Sequence, residues 1–363
     1  MRSAHPHGAA WHAQSRTSLF HVAPCCSISF TADDIAVTDI FTPRRRLLAA
    51  ALLCAFAPAI ADAQPDLSRK LGPTIADTGS AFYRFERFAL RSADGERGYR
   101  VMLAIPRRAA PASGYPAILA LDGNAALASI DERQLQALDA GSPPVIVAIG
   151  YDTELRFDVN ARAYDYTPPI PAGQTDDEAG RGRKGGGADV FLDLIEQAIL
   201  PRARAMAPLD PARLALWGHS YGGLFVLHTL FTRARLFSTY IAASPSLWWQ
   251  QGVVLGEEKR FAGAPARAAK AAGVRLWLMA GDAERREHRA APGANAQAAP
   301  PPAIAARASL PPSALSDLAA RLKQRDGLEV TLRIFPGMAH GPMLPASLEP
   351  ALRIVAGLSP FSD

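Results

Sequence analysis

Residues 214–227 have the sequence LALWGHSYGGLFVL, and this stretch decides the fold. The apolar run LALW predicts a buried β-strand, and LFVL predicts the first turn of a helix. Ser220 therefore lies at a sharp strand-to-helix turn. Gly218 and Gly222 suit such a turn, because it strains the serine backbone and brings neighbouring chain segments close together. The pattern predicts a serine hydroxyl exposed at the carboxyl edge of a β-sheet, with a helix N-terminus beneath it.

The rest of the chain alternates between strand and helix patterns. A hairpin is predicted around Asp94-Gly95, and two continuous apolar runs predict buried strands at residues 115–121 and 144–149. Two later strands are predicted at residues 274–279 and 328–334. Helices are predicted after Ser220, at residues 126–138, and at residues 188–206 with a break at Pro201. This alternation predicts a mostly parallel, doubly wound sheet with helices on both faces and an N-terminal antiparallel hairpin. With the serine turn, it indicates the α/β-hydrolase fold.

The first 63 residues predict a leader and signal peptide. A basic triplet at residues 44–46 precedes a mostly apolar stretch, and Ala61-Asp62-Ala63 has the small-x-small form that signal peptidase recognises. We therefore expect cleavage after Ala63, a periplasmic or secreted protein, and a single catalytic domain over residues 64–363. An uncleaved anchor is the alternative. The apolar stretch is shorter than the roughly 20 residues that span a membrane, so no stable membrane insertion is expected after cleavage.

Composition narrows the possible partners. All three cysteines precede the predicted cleavage site, which leaves the exported chain without disulfides or thiolate metal sites. A net charge of +5 over 363 residues, without a dense basic stripe, argues against nucleic acid and suits an anionic small molecule. Two stretches do not resemble core. Residues 176–187 predict a mobile loop over the site, and residues 289–312, rich in alanine and proline, predict a disordered insertion.

A reactive serine needs a base, and four histidines follow the predicted cleavage site. His219 is adjacent to Ser220 and should point away from it, and His228 lies about 12 Å along the following helix. His288 borders the insertion. His340 remains, in a glycine-flanked loop after the last predicted strand, as the order serine, acid, histidine of this fold requires.

The acid should follow a strand between Ser220 and His340. Residues 278–284 place two carboxylates there, Asp282 and Glu284. Either could accept the histidine Nδ1 proton and stabilise the imidazolium. Glu284 has the better reach and is the preferred candidate. If both belong to a solvated charge run, the site would be a Ser-His dyad.

Fixed donors are needed for the oxyanion of a tetrahedral intermediate. The amide of Tyr221 should supply one donor. The second is expected in the turn after an early central strand, from the amide of Gly123 or Asn124. The simpler alternative is an ordinary Asp-Gly turn.

From about residue 82 to 358, the chain resembles the periplasmic siderophore esterases, the enterobactin and salmochelin trilactone hydrolases, within the esterase D and mycolyltransferase-like superfamily. Five ordered blocks carry the likeness: LDG at 121–123, RAYDYTPP at 162–169, GGGADVFL at 185–192, WGHSYGGLF at 217–225 and SPSLWW at 244–249. The resemblance implies a periplasmic enzyme with no cofactor and no catalytic metal. It also implies attack on the serine-derived esters of a catecholate siderophore, free or ferric.

Such a substrate is anionic and flat-faced. Arginines and a lysine could attract it, and aromatic rings could stack on it; the candidates are Arg162, Arg181, Arg183, Lys184, Trp248, Trp249 and Tyr221. A solvated loop is the simpler interpretation for the arginines. For the tryptophans the alternative is core packing, more so for Trp248 than for Trp249.

The expected function is thus an exported serine esterase that acts on a small-molecule ester such as a ferric siderophore. One alternative is an acyltransferase of the mycolyltransferase type, which would pass the acyl group to an alcohol. Another is a siderophore-binding protein without turnover, although that role would not require both Ser220 and His340.

Overall fold

The computed structural model describes residues 69–263, 273–284 and 309–361. The predicted leader and signal peptide at residues 1–63 lie outside the described residues, as does most of the predicted insertion, residues 289–308. The described residues belong to one compact unit that spans Ala61–Asp363.

The described strands form one eight-stranded sheet in the order β1-β2-β4-β3-β5-β6-β7-β8. The first hairpin and the β2–β4 pair are antiparallel, and the remaining pairs are parallel. The strands are β1 Tyr83–Arg91, β2 Gly98–Pro106, β3 Tyr115–Ala120, β4 Val145–Tyr151, β5 Leu209–His219, β6 Thr239–Ala243, β7 Val274–Gly281 and β8 Leu328–Phe335.

Helices cover both faces of this sheet. Within the described ranges they are α1 Ile75–Thr78, α2 Gly123–Leu127, α3 Glu132–Leu138, α4 Val159–Asp165, α5 Ala188–Leu194, α6 Leu200–Met206, α7 Tyr221–Thr232, α8 Val253–Gly263, α9 Ala314–Lys323 and α10 Met343–Ala356. Successive strand residues point to opposite faces, so Leu216 joins the apolar cluster under α7 and Trp217 the cluster under α10. The predicted α/β-hydrolase architecture, with its N-terminal hairpin, is confirmed.

The structure departs from the sequence analysis at three places. Strand β6 was not predicted, because five residues give little periodicity. The single helix expected at residues 126–138 is two helices, since Asp131 caps α3 by accepting a hydrogen bond from the Gln134 amide at 2.9 Å. Pro201 does not end the helix: α5, a π-helical turn at Ile195–Ile199 and α6 follow one another without a gap, and the wider π-turn closely precedes the residue that lacks an amide donor.

The serine turn has the strain that the sequence predicts, but its glycine requirement differs. Ser220 has φ 60° and ψ −113°, outside the regions that L-residues favour. A Cβ at Gly218 would lie 2.5 Å from the Gly222 carbonyl, and one at Gly223 would lie 2.7 Å from the Ala243 oxygen. A Cβ at Gly222 would meet its nearest neighbour, Leu121, at an ordinary 3.6 Å. The close approaches thus require glycine at 218 and 223, not at 222.

Alanine substitutions at Gly222 and Gly223 should show which of the two positions requires glycine. Gly223→Ala should lower the free energy of unfolding by about 1–3 kcal/mol or more through overpacking. Gly222→Ala should stay within about 1 kcal/mol of the parent, because alanine also favours the helix. Urea denaturation of both variants measures the difference. Equal losses would contradict this assignment.

A buried histidine joins three helices behind the serine turn. His228 on α7 is 1% exposed, and its Nδ1 lies 3.0 Å from both oxygens of Glu257 on α8. Its Nε2 lies 3.1 Å from Asp189 on α5. Burial alone would lower the pKa of His228, but the two carboxylates raise it to about 9. The ring is therefore an imidazolium at neutral pH, and it donates from both nitrogens.

This raised pKa makes the stabilisation by His228 dependent on pH. It should be complete below the unfolded pKa of 6.5 and disappear as the pH rises through about 9. The difference in unfolding free energy between the parent and His228→Gln should therefore narrow from about pH 6 to about pH 10, by up to about 3 kcal/mol. Chemical denaturation at both pH values measures it, and a constant difference would contradict the charge assignment.

Candidate active site

The structure brings together the three side chains that the sequence nominates for catalysis. His340 Nε2 lies 3.0 Å from Ser220 Oγ, and His340 Nδ1 lies 3.0 Å from Glu284 Oε2. Ser220 follows β5, Glu284 follows β7 and His340 follows β8. The arrangement can pass a proton from the hydroxyl to the imidazole while the carboxylate stabilises the resulting charge.

The two candidate carboxylates have separate surroundings. Asp282 is exposed and accepts a hydrogen bond from the Gly337 amide at 2.7 Å, which anchors the turn that leads to His340. Glu284 is the carboxylate whose oxygen reaches the imidazole. Asp282 thus positions the loop, and Glu284 contacts the ring.

Glu284 is held as a carboxylate by three donors. Its Oε1 accepts hydrogen bonds from Ser244 Oγ and from the Gly281 amide, both at 2.6 Å, while Oε2 faces His340. Burial alone would raise the pKa of Glu284, but these hydrogen bonds and the nearby imidazole lower it below its ordinary value. The group therefore remains ionised at neutral pH.

The other histidines occupy different places. His219 Nε2 lies 2.9 Å from the His340 carbonyl oxygen, to which it can donate, and the two rings are 4.7 Å apart. His219 therefore anchors the backbone of the histidine loop, which the sequence analysis did not foresee. His288 lies outside the described residues.

The turn after β3 is held tightly in place. Asp122 adopts a left-handed conformation with φ 50°, and its amide donates to the Tyr166 hydroxyl at 2.9 Å. Gly123 and Asn124 then open α2, where amides lack intrahelical acceptors. A Cβ at Gly123 would lie 2.5 Å from the Ala148 carbonyl carbon, so only glycine fits against β4. The Asn124 side chain is engaged elsewhere, by the carbonyl of Tyr151 at 3.1 Å and that of Leu155 at 3.0 Å.

Arg162 braces this turn. Its guanidinium donates to both oxygens of Asp122 at 2.9 Å, and its side chain is only 14% exposed. The solvated interpretation is therefore wrong for Arg162. Its predicted role as a substrate-binding cation is also weakened, because Asp122 neutralises its charge.

The loop at residues 176–187 is anchored by a buried carboxylate. Glu178 is fully buried and pairs with Arg181 at 2.8 Å and with Arg183 at 2.6 Å. It also accepts from the Tyr221 hydroxyl at 2.5 Å. Arg183 is thus ion-paired rather than solvated. The loop that was expected to be mobile is fixed at its centre, beside the first residue of α7.

The burial of the two adjacent tryptophans is the reverse of the expectation. Trp249 is completely buried, so it is a core residue and presents no ring face to a ligand. Trp248 is half-buried and lies 6.0 Å from the Tyr221 ring, with the Arg181 guanidinium 5.9 Å from its own ring. Trp248 is therefore the tryptophan that can contact a ligand.

Sequence reasoning missed two serines in the turn after β6. Ser244 donates to Glu284, and Ser246 Oγ lies 3.3 Å from Ser220 Oγ. Both belong to the SPSLWW block, which was noted only as a resemblance. Serine is so common in turns that spacing alone could not single them out.

Comparisons with known proteins identify the family. A family model described as "Putative esterase" matches residues 92–308. The apo-salmochelin esterase of Escherichia coli O6:H1 is 38% identical over 296 residues, which cover 81% of this chain and 86% of the relative. The chain belongs to the esterase family.

Solved structures agree with this assignment. The enterobactin hydrolase IroE in complex with DFP, a serine hydrolase inhibitor, is 36% identical with a TM-score of 0.60, and the match covers 78% of this chain and 100% of that chain. The siderophore hydrolase EstA from Aspergillus nidulans is 27% identical with a TM-score of 0.62, covering 76% and 95%. The esterase is thus a serine hydrolase of carboxylic esters, and the resemblance to siderophore esterases is confirmed.

None of the described helices combines the length and apolar character needed to cross a bilayer. Across residues 69–263, 273–284 and 309–361, no group of three or more histidine, cysteine or acidic side chains is placed to hold a metal ion.

Proposed function

We propose that the chain is an exported esterase that hydrolyses the ester bonds of a catecholate siderophore, with Ser220 as nucleophile, His340 as base and Glu284 as the orienting acid. The observation that carries the proposal is the continuous chain of hydrogen bonds from Ser220 through His340 to Glu284, with 3.0 Å at each contact of the imidazole. The names of the relatives supply the substrate class, since they act on salmochelin, enterobactin and other siderophores.

Hydrolysis would proceed in two halves. His340 Nε2 takes the Ser220 proton as Oγ bonds to the ester carbonyl carbon, and the amides of Tyr221 and Gly123 or Asn124 hold the oxyanion. The bond to the leaving alcohol then breaks, and His340 returns the proton to the alcohol oxygen. Water, deprotonated by the same imidazole, attacks the acyl-enzyme, which releases the acid and restores Ser220.

Charge beside Ser220 supports an anionic, aromatic substrate. Arg162 and Asp122 cancel, whereas Arg181 and Arg183 share one carboxylate, that of Glu178, and leave one positive charge in excess. Arg181 carries the more accessible guanidinium, with 28% of its side chain exposed against 16% for Arg183. Arg181 would attract a catecholate, and the adjacent Trp248 would present a ring for stacking. The leader predicted at residues 1–63 supports a periplasmic or secreted location.

The function is tested by turnover of a catecholate trilactone, iron-free and ferric, and of a simple acyl ester, with the parent and Ser220→Ala. The parent should prefer a trilactone by at least about tenfold in kcat/KM. Ser220→Ala should lose more than about 10³-fold of that activity, because the attacking oxygen is gone. Ser238→Ala, which removes a hydroxyl at the far end of β6, is the matched control and should retain activity.

Three results would contradict the proposal. Turnover by Ser220→Ala would exclude this nucleophile, and equal use of simple esters would exclude the substrate class. Transfer of the acyl group to an added alcohol in preference to water, seen by product analysis, would indicate an acyltransferase.

Amide substitutions should separate the two carboxylates. Glu284→Gln should lower kcat by about 10²- to 10⁴-fold, because a neutral amide cannot stabilise the imidazolium and favours the wrong tautomer. Asp282→Asn should stay within a few-fold of the parent, since its amide oxygen can still accept from Gly337. Steady-state kinetics measures both, and similar losses in the two variants would refute the assignment of Glu284.

A further inference from the structure

We propose that Ser246 is a further catalytic residue, whose hydroxyl donates a hydrogen bond to Ser220 Oγ and so stabilises the negative charge that develops on that atom during attack. The proposal rests on the function proposed for Ser220.

Ser246 is built into the serine turn at two points. Its Oγ lies 3.3 Å from Ser220 Oγ, and its backbone amide donates to the Ser220 carbonyl at 3.2 Å. The Ser220 amide in turn donates to the Ala243 carbonyl at 2.9 Å. Ser246 is only 2% exposed, so its hydroxyl is held next to the nucleophile with little access to water.

The direction of the bond between the two hydroxyls follows from counting protons. An ionised Glu284 can only accept, so the proton between it and His340 resides on Nδ1. In the neutral imidazole Nε2 is then the acceptor, and Ser220 must donate its single proton to it. Ser220 has no second proton for Ser246. The donor in the contact between the two serines is therefore Ser246.

The hydrogen bond from Ser246 becomes stronger during the reaction. As Ser220 loses its proton during attack, negative charge develops on Oγ, and a hydrogen bond donated to that atom becomes stronger. The hydroxyl oxygen of resting Ser220 and the ester oxygen of the acyl-enzyme are both weaker acceptors than the developing alkoxide. Ser246 thus stabilises the transition state more than the ground state, and its loss should reduce kcat rather than raise KM.

The test compares Ser246→Ala with Ser238→Ala. Ser238 directly precedes β6, and the control removes its hydroxyl, which donates to the Leu214 carbonyl. Ser246→Ala should lower kcat by about 10- to 100-fold with KM within about twofold of the parent. The rate of labelling by a fluorophosphonate should fall in parallel, because it requires the same attack by Ser220. Ser238→Ala should match the parent in both rates.

Different outcomes would contradict the role of Ser246 and the proposed function. If Ser220→Ala is inactive while Ser246→Ala keeps kcat and labelling rate within twofold of the parent, only the role of Ser246 is overturned. If Ser220→Ala remains active, the proposed function itself fails. Should Ser246→Ala not fold, Ser246→Cys keeps the shape but weakens the donor. Its kcat should also fall, and an unchanged value would overturn the inference.

Discussion

The site depends on four neighbouring parallel strands that end at one edge of the sheet. Strands β5, β6, β7 and β8 are adjacent in that order, and Ser220, Ser244, Glu284 and His340 follow their respective carboxyl ends. Parallel pairing places these ends side by side, so groups more than a hundred residues apart in sequence meet without a long loop. The strained φ of Ser220 is tolerated because close backbone contacts on both sides leave no alternative.

Buried ion pairs surround this edge of the sheet, and they position neighbouring segments more than they stabilise the fold. Asp122 and Glu178 are both almost inaccessible to water, and each is matched by arginine. Desolvation offsets much of the attraction in such pairs. What the pairs provide is a fixed geometry: Arg162 holds the turn that is proposed to supply oxyanion donors, and Glu178 holds the loop beside Tyr221.

The sequence predicted well those features that chain order and strand position determine. Ser220 and His340 were found because one motif and one elimination suffice when the fold fixes the order of the residues. Glu284 was preferred on reach, and the structure shows why reach mattered, since Asp282 is occupied by Gly337. Burial was harder to foresee. Nothing in the pair Trp248-Trp249 indicates which ring faces inward, because the turn between β6 and α8 decides it.

Pairing between distant side chains was the other feature beyond sequence reasoning. Arg162 looked like a free cation, because its partner Asp122 lies 40 residues away. Ser246 looked like an ordinary turn residue. In the folded protein, Ser246, Ser220, His340 and Glu284 form a relay of hydrogen bonds that all run in one direction. Ser246 donates to Ser220, Ser220 donates to His340, and His340 donates to Glu284. A chain of single protons can have only one sense when its terminal acceptor is a carboxylate. The ionisation of Glu284, favoured by the hydrogen bonds from Ser244 and Gly281, therefore sets the direction of the hydrogen bond between Ser246 and Ser220 at the other end of the relay.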